Sequence, residues 1–154
     1  MQKLFLTFFY TGLAPKAPGT AGSIAGAIIA LIALHYLHFS ITSLLLATIL
    51  ITIVAVREID KYEAVSNTHD SKEIVVDEVA GVWLAIGLTT GSMIEILLAL
   101  IFFRIFDIWK PSVIGRIDRE VDGGLGVMGD DIVAGIVAGI CASASYKFAL
   151  TYLF

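Results

Sequence analysis

Apolar positions in this chain come in long blocks rather than in stripes. From Ala17 to Val56 there are 40 consecutive residues without an Asp, Glu, Lys or Arg. A helix in water carries a polar face along its length, and this stretch offers only His35, His38 and scattered Ser and Thr. Two spans are predicted here, Ala21 to Leu37 and Ile41 to Val56, with room between them only for a tight turn at His38, Phe39 and Ser40. At 1.5 Å per residue both lie near the short end of what crosses ~30 Å of hydrocarbon. A third apolar run covers Val79 to Thr89 and ends in the turn-like Thr90-Gly91-Ser92. A fourth runs from Met93 to Phe106 and a fifth from Ile132 to Tyr152. The third is short, which predicts a partial span or the tilted half of a helical hairpin. The expected class is all-α: a single domain, 1–154, forming a multi-helical membrane bundle of four to five hydrophobic helices with short interfacial helices.

Composition sharpens this picture. Hydrophobic residues make up 58% of the 154 positions and charged residues 16%, against roughly 25% charged in an ordinary soluble domain. That apolar content excludes a disordered chain, and the single Cys141 excludes a disulfide scaffold. The net charge of −4 and the absence of a Lys/Arg-rich face exclude a basic nucleic-acid binder. The charges are segregated along the chain. Ten lie between Arg57 and Glu78 and ten between Arg104 and Asp131, leaving only Lys3, Lys16, Glu95 and Lys147 outside. If the apolar runs pair as hairpins, both charged loops share a side with the N-terminus. Nine of the ten basic residues then lie on that side, which predicts it to be cytoplasmic. Lys147 and Glu95 are expected at the far interface, where long side chains snorkel to water. Met1 to Leu13 has one Lys before an apolar run, but no clean cleavage site follows, so an interfacial helix is expected there rather than a signal peptide.

The two loops place carboxylates at helix ends. In the first, Arg57 to Val65 can continue as an amphipathic helix that Ser66-Asn67-Thr68 breaks. Asp70 with Glu73 resembles an N-capping pattern, and Asp77 and Glu78 stand at the entrance to the third run. Asp77 and Gly81 share a helix face, and a Gly there admits another backbone, so Asp77 is expected to point into the bundle. In the second loop Arg104, Asp107 and Lys110 are spaced by three along one helix face, and Pro111 disfavours continuation. Gly115 to Glu120, with Arg116 and Arg119, can form a short interfacial helix. Asp122-Gly123-Gly124-Leu125-Gly126 reads as a flexible turn, after which Asp130 and Asp131 open the last span. Asp131, Gly135, Gly139 and Ser143 are successive i, i+4 positions, a small-residue stripe that can pack within the chain or between copies in a homo-oligomer.

An Asp at a helix start is ordinarily a cap or a partner of the helix dipole. Here Asp77, Glu78, Asp107, Asp130 and Asp131 come from three spans at one membrane face, and they would repel one another without cations. Arg104, Lys110 and Arg116 compensate in part. Carboxylate oxygens suit a hard divalent ion such as Mg²⁺ for the rest, with Asp70 as a further candidate ligand. Ahead of the first span, Ala14 to Ser23 is rich in small residues. Thr20 or Ser23 can cap the helix, Gly19 and its neighbours leave backbone N–H groups accessible, and Lys16 stands beside them. That is a plausible anion-binding helix start, although the nucleotide P-loop pattern is absent.

Three blocks resemble a known family. The first is Gly12-Leu13-Ala14-Pro15 with Ala17-Pro18-Gly19-Thr20-Ala21-Gly22-Ser23. The second is His69-Asp70 with Ile74-Val75-Val76-Asp77-Glu78-Val79-Ala80-Gly81. The third is Phe103-Arg104-Ile105-Phe106-Asp107-Ile108-Trp109-Lys110-Pro111, then Asp118-Arg119, Gly123-Gly124, Gly126 and Asp130-Asp131-Ile132-Val133-Ala134-Gly135. In these blocks and their spacing the chain resembles the phosphatidylglycerophosphatase A family, over nearly its whole length. The resemblance implies an all-helical, Mg²⁺-dependent phosphomonoester hydrolase of the bacterial cytoplasmic membrane. The implied substrate is phosphatidylglycerol phosphate, and the products are phosphatidylglycerol and phosphate.

On this reading Asp77, Glu78, Asp107, Asp130, Asp131 and Asp70 hold Mg²⁺. Asp77, Asp131, Lys110 and Arg104 are the catalytic candidates, with Asp77 or Asp131 orienting a water or an Asp attacking phosphorus directly. Lys16, Gly19, Thr20, Ser23, Arg116 and Arg119 are the expected substrate-binding set. Two other classes compete: a small ion or proton transporter, and a lipid-binding membrane protein without turnover. Acids gathered at one face rather than along the membrane's depth disfavour transport.

Overall fold

The computed structural model describes residues 1–66 and 71–152. Among these it contains seven α-helices and no strand. They are α1 (Gln2–Leu6), α2 (Pro18–His35), α3 (Ile41–Ser66), α4 (Val76–Gly87), α5 (Met93–Trp109), α6 (Val113–Glu120) and α7 (Gly123–Tyr152), with a 3₁₀ turn at Thr11–Leu13 after α1. The expected break at Asn67 and Thr68 and the roles given to His69 and Asp70 lie outside the described residues.

Three helices are long and apolar enough to cross a membrane: α2 with 18 residues, α3 with 26 and α7 with 30. Their outer faces stay apolar, as Leu46, Ile49, Leu50 and Ile53 on α3 show. The 17-residue α5 presents Ile94, Leu97, Ile101, Ile105 and Ile108 outward in a single stripe. Among the described residues three hydrophobic helices thus reach full span length, and α4 and α5 are shorter apolar helices packed with them.

The short third run is the centre of the bundle. With 12 residues α4 extends roughly 18 Å, and it packs against α2, α3, α5 and α7. Nine of its residues, from Val76 to Gly87, are buried. Small residues make this enclosure feasible. A Cβ on Gly81 would strike the Phe103 ring and lie 2.7 Å from the Asp131 carbonyl oxygen. A Cβ on Gly135 would strike the Gly81 carbonyl, and one on Gly139 would lie 2.6 Å from the Ala85 carbonyl. The predicted stripe on α7 is therefore used inside the chain, against α4. Trp83 on α4 donates its indole N–H to the Gly26 carbonyl on α2 at 2.8 Å, a packing role.

Three local expectations are corrected. The Gly-rich segment after Asp122 is not a flexible turn but the first turn of α7. A Cβ on Gly124 would strike the Val56 carbonyl, and its N–H donates to Asp60 Oδ1 at 2.7 Å, so these glycines allow close docking on α3. Glu95, expected to reach water at the far interface, is instead fully buried within the protein. It accepts from the Thr90 N–H at 3.1 Å, the Thr90 hydroxyl and the Ser92 hydroxyl at 3.0 Å, while Ser92 Oγ accepts from the Glu95 N–H at 3.3 Å. Glu95 and Ser92 thus form a reciprocal cap that closes the turn between α4 and α5. Finally, α2 begins at Pro18 without a side-chain cap, since Ala17 at the N-cap position has no side-chain acceptor.

The N-terminal segment folds as the expected short helix and is tied to the loop ahead of α4. Leu6 carbonyl accepts from the Val75 N–H at 3.0 Å. Lys3 pairs with Glu73 at 3.0 Å.

Candidate active site

Four helix ends meet at one end of the bundle: the starts of α2, α4 and α7 and the end of α5. They enclose a cavity of about 300 Å³, to which Gly19, Asp77, Glu78, Arg104, Asp107, Lys110, Asp130 and Asp131 all contribute. The i, i+4 logic that aims Asp77 inward holds, because Gly81 one turn later lets α7 lie directly against α4 and brings Asp131 beside the start of α4. Asp77 and Asp131 are buried, with 7% and 3% of their surface exposed.

Carboxylates in this cavity fall into two groups. Asp107 pairs with Arg104 on the same helix face, and Asp130 pairs with Lys110 at 2.6 Å. Asp77, Glu78 and Asp131 form the second group, each offering one oxygen within 4.8 Å of the others. Glu78 Oε2 is buried and has no hydrogen-bond partner among the described residues. Burial, then the neighbouring Asp77 and Asp107 charges, pushes the Glu78 carboxyl well above the usual glutamate range, with Arg104 opposing. A set of hard oxygen donors with an orphaned oxygen fits a divalent cation such as Mg²⁺. Gly19 belongs to the same arrangement: a Cβ there would strike Glu78 Oε1 and lie 3.4 Å from Arg104 Nη1, so only Gly leaves this gap open.

The basic residues are braced. Arg104 donates through Nη1 to Ser23 Oγ and through Nη2 to Thr20 Oγ1, both at 3.3 Å, besides its ion pair with Asp107. Thr20 and Ser23 thus hold a guanidinium rather than cap α2. Lys110 caps α5 in the left-handed conformation, with φ of 46°. That turns it away from the line of Arg104 and Asp107 and toward Asp118 and Asp130. Burial works against its charge, but the two carboxylates outweigh burial and hold the ammonium above the ordinary lysine range.

Of the remaining expected residues, Lys16, Arg116 and Arg119 are exposed and lie outside the cavity wall. Asp70 falls outside the described residues. Asp118 on α6 pairs with Lys110. Lys72 lines the cavity and was not singled out from the sequence. It is one of several charges in its loop, and no local spacing marks it.

Comparison with known proteins bears on the family of the chain. The family model described as phosphatidylglycerophosphatase A matches residues 4–146. The phosphatidylglycerophosphatase A of Escherichia coli (strain K12) is 39% identical over 132 residues, covering 84% of this chain and 74% of that protein. The phosphatidylglycerophosphatase A of Haemophilus influenzae is 38% identical over 137 residues, covering 88% and 83%. A protein of Bacteroides thetaiotaomicron named as a putative phosphatidylinositol-3-phosphatase is 38% identical over 137 residues, covering 84% of each chain. No solved structure matches the chain.

Proposed function

Because the chain belongs to the phosphatidylglycerophosphatase A family, a family of phosphoric monoester hydrolases, we propose that it is a Mg²⁺-dependent phosphatase of the bacterial cytoplasmic membrane. Its substrate is phosphatidylglycerol phosphate, and its products are phosphatidylglycerol and inorganic phosphate. The observation that carries this reading is the convergence of Asp77, Glu78 and Asp131 within 4.8 Å, beside two cations braced by other carboxylates. A site at the ends of membrane-crossing helices, on the cytoplasmic face, meets a lipid phosphate at headgroup level while the acyl chains stay in the bilayer.

Asp77, Glu78 and Asp131 hold Mg²⁺, which supplies Lewis-acid stabilisation of the phosphoryl oxygens when bound. The phosphate oxygens are bound by donors that the fold leaves spare. An ammonium has three N–H bonds, and Asp118 and Asp130 take two from Lys110, leaving one. Arg104 likewise keeps one Nη2–H, since among the described residues only Thr20 Oγ1 accepts from that nitrogen. Water attacks phosphorus, Asp77 or Asp131 takes its proton, and the phosphorus–oxygen bond to the glycerol breaks. The same proton neutralises the departing alkoxide, so the chain returns to its starting state.

The test is Mg²⁺-dependent phosphate release from phosphatidylglycerol phosphate in detergent–lipid micelles. Asp77→Asn and Asp131→Asn should each lose about 100-fold or more in turnover. Near-normal turnover by both variants overturns the site assignment. Absence of release by the wild-type chain leaves the transport and lipid-binding readings. A parallel arm with phosphatidylinositol 3-phosphate tests the substrate named for the Bacteroides relative.

A further inference from the structure

Three cations line the cavity: Arg104, Lys110 and Lys72. Two are committed to carboxylates, Arg104 to Asp107 and Lys110 to Asp118 and Asp130. The Lys72 side chain makes no ion pair or hydrogen bond among the described residues, although the cavity it borders is rich in carboxylates. It is also the outermost of the three. Lys72 is exposed on the turn leading into α4, whereas the Arg104 and Lys110 side chains keep 17% and 30% of their surface. The site therefore has a deep, neutralised pair of cations and one uncommitted positive charge at its mouth.

The inference rests on the lipid-phosphatase reading. A phospholipid phosphate of that kind carries two anionic groups: the terminal monoester that is cleaved, and the phosphodiester that joins the headgroup to diacylglycerol. With the monoester at the deep carboxylate and cation cluster, the phosphodiester lies one headgroup unit nearer the mouth. We propose that Lys72 binds this phosphodiester. It thereby makes the site select phosphomonoesters carried on a phosphodiester headgroup over lipids whose single phosphate is the monoester. A flexible ammonium suits the task, since it acts as a point charge and needs no fixed fork geometry to reach an oxygen of a mobile headgroup. Lys72 is a specificity residue here and takes no part in bond breaking.

The experiment compares two lipids in identical Mg²⁺-containing micelles: phosphatidylglycerol phosphate, and phosphatidic acid, which has a monoester and no diester. Phosphatidic acid is followed as a substrate, or as a competitive inhibitor where it is not turned over. Wild type, Lys72→Ala, Lys72→Gln and Lys72→Arg are compared. For phosphatidylglycerol phosphate, Lys72→Ala and Lys72→Gln should raise KM about 3- to 10-fold, the effect of losing one partly solvated charge contact. The value of kcat should stay within about 2-fold, Lys72→Arg should restore KM, and added salt should shrink the difference. The constant for phosphatidic acid should not move. An equal rise for both lipids places Lys72 at the monoester and overturns the proposal, as does an unchanged KM for phosphatidylglycerol phosphate. If the wild-type chain releases phosphate from neither lipid, the functional reading itself fails and this inference with it. Normal wild-type turnover with an indifferent Lys72 overturns this inference alone.

Discussion

Replacing Asp131 with Asn should make the metal-free protein more stable and the metal-loaded protein less able to respond. The substitution keeps shape and volume, so it leaves no cavity where α7 meets α4. It removes one of three carboxylates whose oxygens lie within 4.8 Å. At that separation each ionised pair repels by about 3.5 kcal/mol at an effective dielectric of about 20. Proton uptake and residual water lower the relief to about 1–3 kcal/mol, which at roughly 2–4 °C per kcal/mol is a rise of several degrees. Mg²⁺ reverses the order. At about 100 times its dissociation constant, a ligand bound only by the native state adds about 2.7 kcal/mol. The wild-type chain should gain most of that, and Asp131→Asn little of it. The assay is thermal unfolding in detergent, with chelator or with saturating Mg²⁺, on both proteins. Expected is a crossing: the variant melts higher in chelator, and the wild type shows the larger Mg²⁺ shift. If Asp131→Asn melts lower in chelator and gains as much from Mg²⁺, Asp131 is a structural group, and the repulsion argument is wrong.

Gly81→Ala should lose activity without touching a reacting group. Its Cβ would strike the Phe103 ring and press on the Asp131 carbonyl, costing about 1–3 kcal/mol of overpacking and displacing Asp131 from Asp77. Gly129→Ala, whose Cβ meets only an Ile117 methyl at 3.1 Å, is the control that should melt and turn over normally. Lys110→Met should destabilise the fold by about 1–3 kcal/mol, below the figure for a fully buried pair because Lys110 keeps some exposure. It leaves the buried Asp130 without its cation and should reduce turnover further than Asp118→Asn does. Because its two carboxylates hold Lys110 above the ordinary lysine range, its stabilisation is fully present below the ordinary lysine value and is lost only as pH rises through the raised one. The wild-type melting temperature should therefore show no Lys110-dependent fall between about pH 6 and 9. Such a fall, absent from Lys110→Met, would count against the pairing.

How far the sequence reaches depends on the range of the interaction that decides each feature. Helix positions follow from blocks of apolar residues, and Asp77 facing Gly81 follows from the 3.6-residue repeat, so both were legible. The stripe of Gly135 and Gly139 was legible as a packing face, though whether it met α4 or a second copy was not. Two features were misread because a distant partner decides them, and two more for local reasons. Thr20 and Ser23 look like caps for α2 but hold Arg104, which lies 84 and 81 positions away. The glycines after Asp122 look like a turn, yet they are helical because α3 presents Asp60 and the Val56 carbonyl to them. Glu95 looks like a solvated charge at the edge of a span, but its carboxylate folds back on Thr90 and Ser92 and is enclosed. Lys110 was read in line with Arg104 and Asp107; the left-handed cap at the end of α5 takes it out of that line.

The charge balance of the cavity links these observations. Among the described residues its wall carries six carboxylates, on Asp77, Glu78, Asp107, Asp118, Asp130 and Asp131, and three cations, on Lys72, Arg104 and Lys110. The formal excess of three negative charges is most of the chain's formal net −4, gathered around about 300 Å³. An anionic lipid phosphate brought to such a cavity is repelled before any chemistry begins. On the proposed reading the cation therefore has two functions that cannot be separated. It neutralises Asp77, Glu78 and Asp131, and it makes the cavity receptive to phosphate. The paired carboxylates fit the same logic, since Asp107, Asp118 and Asp130 hold Arg104 and Lys110 in place. Among the described residues each of those cations still has a donor spare for an incoming oxygen, the second Nη2–H of Arg104 and the third ammonium N–H of Lys110. Binding of cation and substrate is then one linked equilibrium, in which each raises the affinity for the other by the same factor.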